Sequence, residues 1–183
     1  MRTVRYNFAT TLDGFIASQD HSTHWIVEDP TIDFDALYAE FSTFVMGRKT
    51  YEVLLKYGNP LAGWPKEAVV VVSGTMKPEE HPHATIECGD VVSCVRRLRE
   101  GEGKDIWVMG GGQLVGLLME AGLVDVIEAA VMPVVIGEGV PMVSGLGRDV
   151  KLKLEGVTQL KESGILMTRY RVLPRQPPAT ASR

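Results

Sequence analysis

The chain has 183 residues, 45% of them hydrophobic, and a formal net charge of −4. That is enough apolar material for one domain with its own core, and an acidic balance without a basic stripe argues against a nucleic-acid partner. No apolar run reaches the roughly 20 residues that span a bilayer, and the N-terminal MRTVRYNFATTLDG lacks a signal-peptide core, so a cytoplasmic protein with no membrane partner is expected.

In chain order, Val4 to Ala9 reads as a first strand, followed by a turn-rich loop from Thr10 to His24. Phe34, Leu37, Tyr38 and Phe41 recur at helical spacing, and Phe44 to Met46 is a short buried strand. Gly47 leads into a helix from about Lys49 to Lys56, closed by Tyr57-Gly58-Asn59-Pro60. Ala68 to Val72 carries β-branched residues on both faces, as a central parallel strand does. Asp90 is placed to cap a helix running to about Arg99. Ile106 to Met109 is another strand, and the helix after Gly112 has Gly122 at its C-terminal end. Val124 to Met132 follows as a strand. Lys151 to Leu160 and Ile165 to Val172 then flank Lys161-Glu162-Ser163-Gly164, a hairpin signal.

Alternating β and α segments predict a three-layer α/β/α domain over residues 1–173, with a mainly parallel sheet closed by a C-terminal antiparallel hairpin. The Pro/Ser/Ala-rich stretch 174–183 has no apolar period and is expected to be a disordered tail. Cys88 and Cys94 form no C-x-x-C, and the four histidines take no ligand spacing beside them. No metal site or disulfide framework is expected.

Three strand-to-helix junctions carry polar or glycine-rich turns: Gly47-Arg48-Lys49-Thr50, Ser73-Gly74-Thr75 and Gly110-Gly111-Gly112. In an open α/β sheet such turns lie at the C-terminal ends of the parallel strands, where ligands bind. Glycines let a ligand approach the backbone, and a helix N-terminus favours an anion. Arg48 and Lys49 at a helix start oppose the helix dipole unless an anion lies between them; otherwise they extend into solvent. Together the three turns suit an extended anion such as a dinucleotide. Gly116 comes one residue too late for the G-x-G-x-x-G fingerprint, and GRKT lacks the Gly-Lys pair of a P-loop.

ATTLDGFIA, VMGRKTYEVL, VVVVSGT, WVMGGGQLVGLLMEAGLVD and MPVVIGEGVPMV occur in this order. On these motifs the chain resembles dihydrofolate-reductase-like proteins, most closely the bacterial branch related to the reductase domain of riboflavin biosynthesis, over about residues 2–172. The resemblance implies an NADPH-dependent reductase. Ala9, Gly14, Phe15 and Ile16 would border the nicotinamide. Gly47, Arg48, Lys49 and Thr50 would hold phosphates, with Arg48 toward the adenosine 2′-phosphate. Ser73, Gly74 and Thr75 would sit by the adenosine, and Gly110, Gly111, Gly112, Gln113 and Leu114 by the pyrophosphate and nicotinamide.

For the substrate the resemblance implies Asp13, Trp25 and Asp33. Asp13 matches an acidic position near the substrate, although an Asx-turn residue before Gly14 accounts for it as well. Trp25 has the alternatives of stacking on a planar ring or of packing as a core or lid residue. Asp33 and Asp35 start a helix, where aspartate also serves as a cap. Where riboflavin-type reductases often carry a basic residue, two positions before Ala9, this chain has Asn7, which weakens the case for a ribose-phosphate substrate. Val126 stands where the family usually reads glutamate.

The expected activity is hydride transfer from NADPH to a small heterocycle, pterin-like or pyrimidine-like, in riboflavin- or folate-type chemistry. Asp13 first and Asp33 second are the candidate acids, and the 10–24 loop is the candidate lid. The alternative is a non-catalytic NADPH-binding or cofactor-sensing module. A deaminase is excluded because H-x-E and P-C-x-x-C are missing. The closing hairpin offers an exposed edge for a homodimer.

Overall fold

Uninterrupted β-branched and aromatic runs supply the central strands, because a strand covered on both faces has no solvent side on which to place polar residues. The computed structural model describes residues 1–175; the expected tail lies outside them from residue 176 onward. The strands are β1 (Val4–Thr11), β2 (Phe15–Ala17), β3 (Phe41–Gly47), β4 (Val69–Val72), β5 (Thr85–Glu87), β6 (Asp105–Gly110), β7 (Val126–Met132), β8 (Val140–Pro141), β9 (Leu152–Gln159) and β10 (Leu166–Val172). The α-helices are α1 (Phe34–Ala39), α2 (Arg48–Lys56), α3 (Val91–Glu100) and α4 (Gly112–Glu120).

Eight strands form one sheet in the order β5-β4-β3-β6-β1-β7-β10-β9, while β2 and β8 pair separately. Neighbours from β5 through β7 are parallel, and β10 is antiparallel to both β7 and β9. The expected mainly parallel sheet is therefore present, with its two antiparallel pairings both made by β10 of the C-terminal hairpin.

Alternation along the strands builds a core on each face. Val4, Tyr6, Val45, Val70, Ile106 and Val108 pack under α3 and α4. Phe44, Met46, Val69, Val71 and Trp107 pack with Leu37, Tyr38, Tyr51 and Leu54 from α1 and α2. Asp90 caps α3 by accepting from Val92 N and Ser93 N, as its position predicted. Gly122, at φ +67°, terminates α4 just beyond the cap residue Ala121, in the left-handed conformation that glycine takes most readily. No helix among the described residues is long and apolar enough to cross a membrane.

Two expectations change. The Phe34–Phe41 periodicity is not one helix: α1 stops at Ala39, and Phe41 opens β3. Phe41 is buried against Phe44 and Trp107 with the Arg5 guanidinium 4.5 Å over its ring, whereas Phe34 is exposed. Burial in the sheet outweighs helical spacing. The 10–24 segment is not loop throughout: Thr10 and Thr11 extend β1, and Phe15–Ala17 is tied to Val140–Pro141. The strands at 85–87 and 140–141 are too short to give a periodic signal.

Candidate functional site

A cavity of about 800 Å³ opens along the C-terminal edge of the parallel strands. Side-chain alternation divides it into halves. Phe8 and Val72 point to the α3/α4 face, where Val91, Leu114, Leu117, Pro141 and Ser144 complete the wall. Asn7, Trp107 and Met109 lie on the opposite face with Val53 and Leu54 of α2, and Ile26 also lines the cavity.

Two helices begin at the cavity, and neither has a side-chain cap. The N-caps of α2 and α4 are Gly47 and Gly111, without a capping hydrogen bond or a first-turn acid. Asp33 and Asp90 cap α1 and α3 in the ordinary way. The leading N–H groups of α2 and α4 are thus left for an anion. Arg48 and Lys49 add positive charge, and none of the described residues lining the cavity is a carboxylate. Glu52 offsets the pair from one turn along α2, 3.6 Å from Arg48 and 3.3 Å from Lys49.

The glycines of the third turn have separate reasons. Gly110 sits at φ +110°, which side chains disfavour, and its peptide bond to Gly111 is cis. A Cβ on Gly112 would overlap the Pro141 carbonyl oxygen, and one on Gly116 that of Ser144. Both glycines let residues 141–144 press onto α4. Tyr6 reinforces this by donating its hydroxyl to Met142 O at 2.7 Å, with burial pushing its pKa up.

Of the residues expected to hold a cofactor, Ala9, Ile16, Gly47, Arg48, Lys49, Thr50, Gly111, Gly112, Gln113 and Leu114 line the cavity. A Cβ on Gly110 would lie 3.9 Å from both Ile16 and Thr50. Gly14, Ser73, Gly74, Thr75 and Gly110 itself are not in the lining. Gly14 forms the β1–β2 turn at φ +86° and accepts from Met142 N. Ser73 is buried, and its Oγ accepts from Thr75 N at 3.2 Å and Met76 N at 3.1 Å, so it caps its own turn. Thr75 reaches the site through Arg48, which donates to its hydroxyl at 3.2 Å.

None of the three expected substrate residues lines the cavity. The Asp13 carboxylate accepts from Ile136 N at 3.2 Å and Gly137 N at 2.7 Å, tying β1 to the turn after β7. Hydrogen bonds from Thr11 and those two amides hold its pKa below the usual carboxylate range, the wrong direction for an acid. Asp33 is the exposed cap of α1, accepting from Ala36 N at 2.9 Å. Trp25 is buried with Met132 and Ile165, and its Nε1 has no partner among the described residues, so it is a core residue beneath the loop.

Sequence reasoning passed over Trp107, Met109, Ile26 and Val91 as cavity residues, and over the pairing of Asn7. The period-2 pattern of β1, apolar at Val4, Tyr6 and Phe8, already put Arg5, Asn7 and Ala9 together on the other face. On that face Glu128 accepts from Arg5 at 2.9 and 2.8 Å, from Asn7 Nδ2 at 3.2 Å, and from Arg169. Arg5 is also paired with Glu40 and Asp105, and Trp107 Nε1 donates to Asn7 O at 2.8 Å. The partners of Asn7 and Arg5 are distant in sequence, so no local signal names them.

The sheet order, the two-faced helical cover and the cavity across the strand ends define a dihydrofolate-reductase-like fold. The dihydrofolate reductase of Enterococcus faecalis is similar at a TM-score of 0.64 and 16% identity, over 93% of this chain and 94% of that one. A Shewanella sp. PV-4 protein ascribed to riboflavin biosynthesis is similar at a TM-score of 0.78 and 23% identity, over 95% of this chain and all of that one. The chain belongs to the RibD C-terminal domain family, whose model matches residues 2–166. The uncharacterized protein YwjB of Bacillus subtilis is 30% identical over 88% of this chain and 94% of its own.

Proposed function

We propose that this protein is an NADPH-dependent reductase acting on a small planar heterocycle of pterin or pyrimidine type. The observation that carries the reading is the two-part cavity, with two uncapped helix starts along the strand edge, that of α2 cationic, and an apolar, aromatic half beside them. NADPH supplies a hydride when bound. Its phosphates suit the free N–H groups of α2 and α4, and Arg48 with Thr75 suits a further phosphate. The similar dihydrofolate reductase of E. faecalis was solved with NADP(H), which agrees with that choice of cofactor.

The residues of this chain bind, orient and exclude water. Trp107, Met109 and Ile26 enclose a flat ring, and the part of the 10–24 segment beyond β2, with His21 and Thr23, closes above it as a lid hinged where β2 is tied to β8. With no carboxylate among the described lining residues, the proton that accompanies the hydride comes from His21, which lines the cavity, or from water at the cavity mouth. Two copies pair through the exposed edge of β9.

A second reading, binding of NADPH without turnover, is favoured by that same lack of a carboxylate. Calorimetric titration with NADPH and NADH, then NADPH oxidation against pterins and pyrimidines, tests both. Micromolar binding preferring NADPH, with oxidation on some ring, supports the reductase. Binding without oxidation supports the sensor, and no binding of either nucleotide removes both.

A further inference from the structure

We infer that Asn7, oriented by Glu128, is the specificity-determining residue of the aromatic half, and that the substrate presents a ring N–H to it and carries no phosphate there. The inference rests on the reductase reading. Asn7 lines the cavity, and its Nδ2 donates to Glu128 Oε2 at 3.2 Å. Glu128 takes its other hydrogen bonds from the guanidinium groups of Arg5 and Arg169, which only donate, so it faces all of these partners as an acceptor. The Asn7 amide is therefore unable to flip without setting oxygen against oxygen. Its Oδ1 accepts no hydrogen bond from any described residue and is not sealed from solvent, so it stands as a fixed acceptor beside Trp107. A ligand N–H satisfies it, and a ligand acceptor or methyl group leaves it unpaired.

Charge argues the same way. Behind Asn7, Arg5 is shared among Glu40, Asp105 and Glu128, Arg169 between Glu128 and Glu155, and Arg171 is paired with Glu155. Each of these cations is already matched, so a substrate phosphate at this end would be desolvated without a partner. The cations in the cavity lining itself, Arg48 and Lys49, belong to the start of α2.

The test uses lumazine and 1,3-dimethyllumazine, which share one flat ring system and differ in ring N–H groups. Affinities are measured by calorimetry on the full chain, with and without saturating NADP⁺. Wild type is expected to prefer lumazine by about tenfold, the worth of one hydrogen bond. Asn7→Leu is close in volume, so a preference due to methyl bulk would survive it; the expected result is loss of the preference with NADPH affinity unchanged. Glu128→Gln, which lets the amide flip, is expected to reduce the preference although Asn7 is still present. Equal affinities in wild type, no binding of lumazine, a preference that survives Asn7→Leu or Glu128→Gln, or displacement of lumazine by ribose 5-phosphate would each overturn the inference. The NADPH titration on the same samples separates this from failure of the reductase reading, which shows as no nucleotide binding in wild type.

Discussion

Arg48 donates to the hydroxyl of Thr75 across 3.2 Å, joining the uncapped start of α2 to the turn after β4. That link brings Thr75 to the cavity edge although neither Ser73, Gly74 nor Thr75 lines it. Arg48→Gln is expected to weaken NADPH by about 10- to 100-fold, the range of a charge-assisted contact, and NADH much less. Side-by-side titrations check this, and equal losses for the two nucleotides would remove Arg48 from the 2′-phosphate.

The positions of the two candidate acids predict that neither donates the proton. Asp13 is bound to the amides of Ile136 and Gly137, and Asp33 caps α1. Once a substrate is identified, Asp13→Asn and Asp33→Asn are expected to keep kcat within about threefold, against the 100-fold or more that loss of a general acid brings. A large fall in either variant, with the fold intact by circular dichroism, would reinstate that carboxylate. Asp33→Ala is expected to cost about 1 kcal/mol of stability through the lost cap.

Gly116 lies inside α4, where helix propensity alone makes alanine better by about 1 kcal/mol. The Ser144 carbonyl oxygen occupies the place of the added methyl. Gly116→Ala is therefore expected to destabilise by about 1–3 kcal/mol, the cost of overpacking. A lower urea midpoint with unchanged slope is the predicted observation, and a higher midpoint would mean that residues 141–144 give way.

Asp29, buried in the segment before α1, accepts from Ser163 Oγ at 2.5 Å and from Thr31, which ties that segment to the β9–β10 turn. The Ser163 bond, then those from Thr31, hold its pKa below the usual carboxylate value. A depressed folded-state pKa stabilises the protein above the unfolded value of about 3.9, and the contribution is lost as pH falls from there through the folded pKa. Denaturant midpoints are expected to fall on acidification below about pH 4, and Asp29→Asn to flatten that dependence while lowering the midpoint at pH 7. An unchanged acid limb in the variant would contradict the assignment.

β9 is the outer strand, exposed along its whole length, with Leu154 at 52% and Val157 at 58% exposure. An open strand edge with apolar side chains invites a second copy. Light scattering is expected to give twice the chain mass, returning toward one chain in Leu154→Lys. A monomer at high concentration in wild type would end the proposal.

The order of the longer strands and of the helices, the parallel sheet with its closing hairpin, the Asp90 cap and the run from Gly111 to Leu114 at the cavity were legible in the chain. These features depend on residues near in sequence: an alternation, an uninterrupted β-branched run, a glycine beside a helical period. The resemblance to the dihydrofolate-reductase-like family came from the same local motifs. Tertiary structure alone decided that Phe41 belongs to a strand, that Asp13 and Trp25 support loops instead of facing the cavity, and that Asn7 is locked by Glu128. It also decided why Gly116 must be glycine. In each case the deciding partner lies far along the chain, at Trp107, Gly137, Ile165, Glu128 or Ser144. Burial, carboxylate pairing and close backbone approach are set by which segments the sheet brings together, and local periodicity carries no record of that.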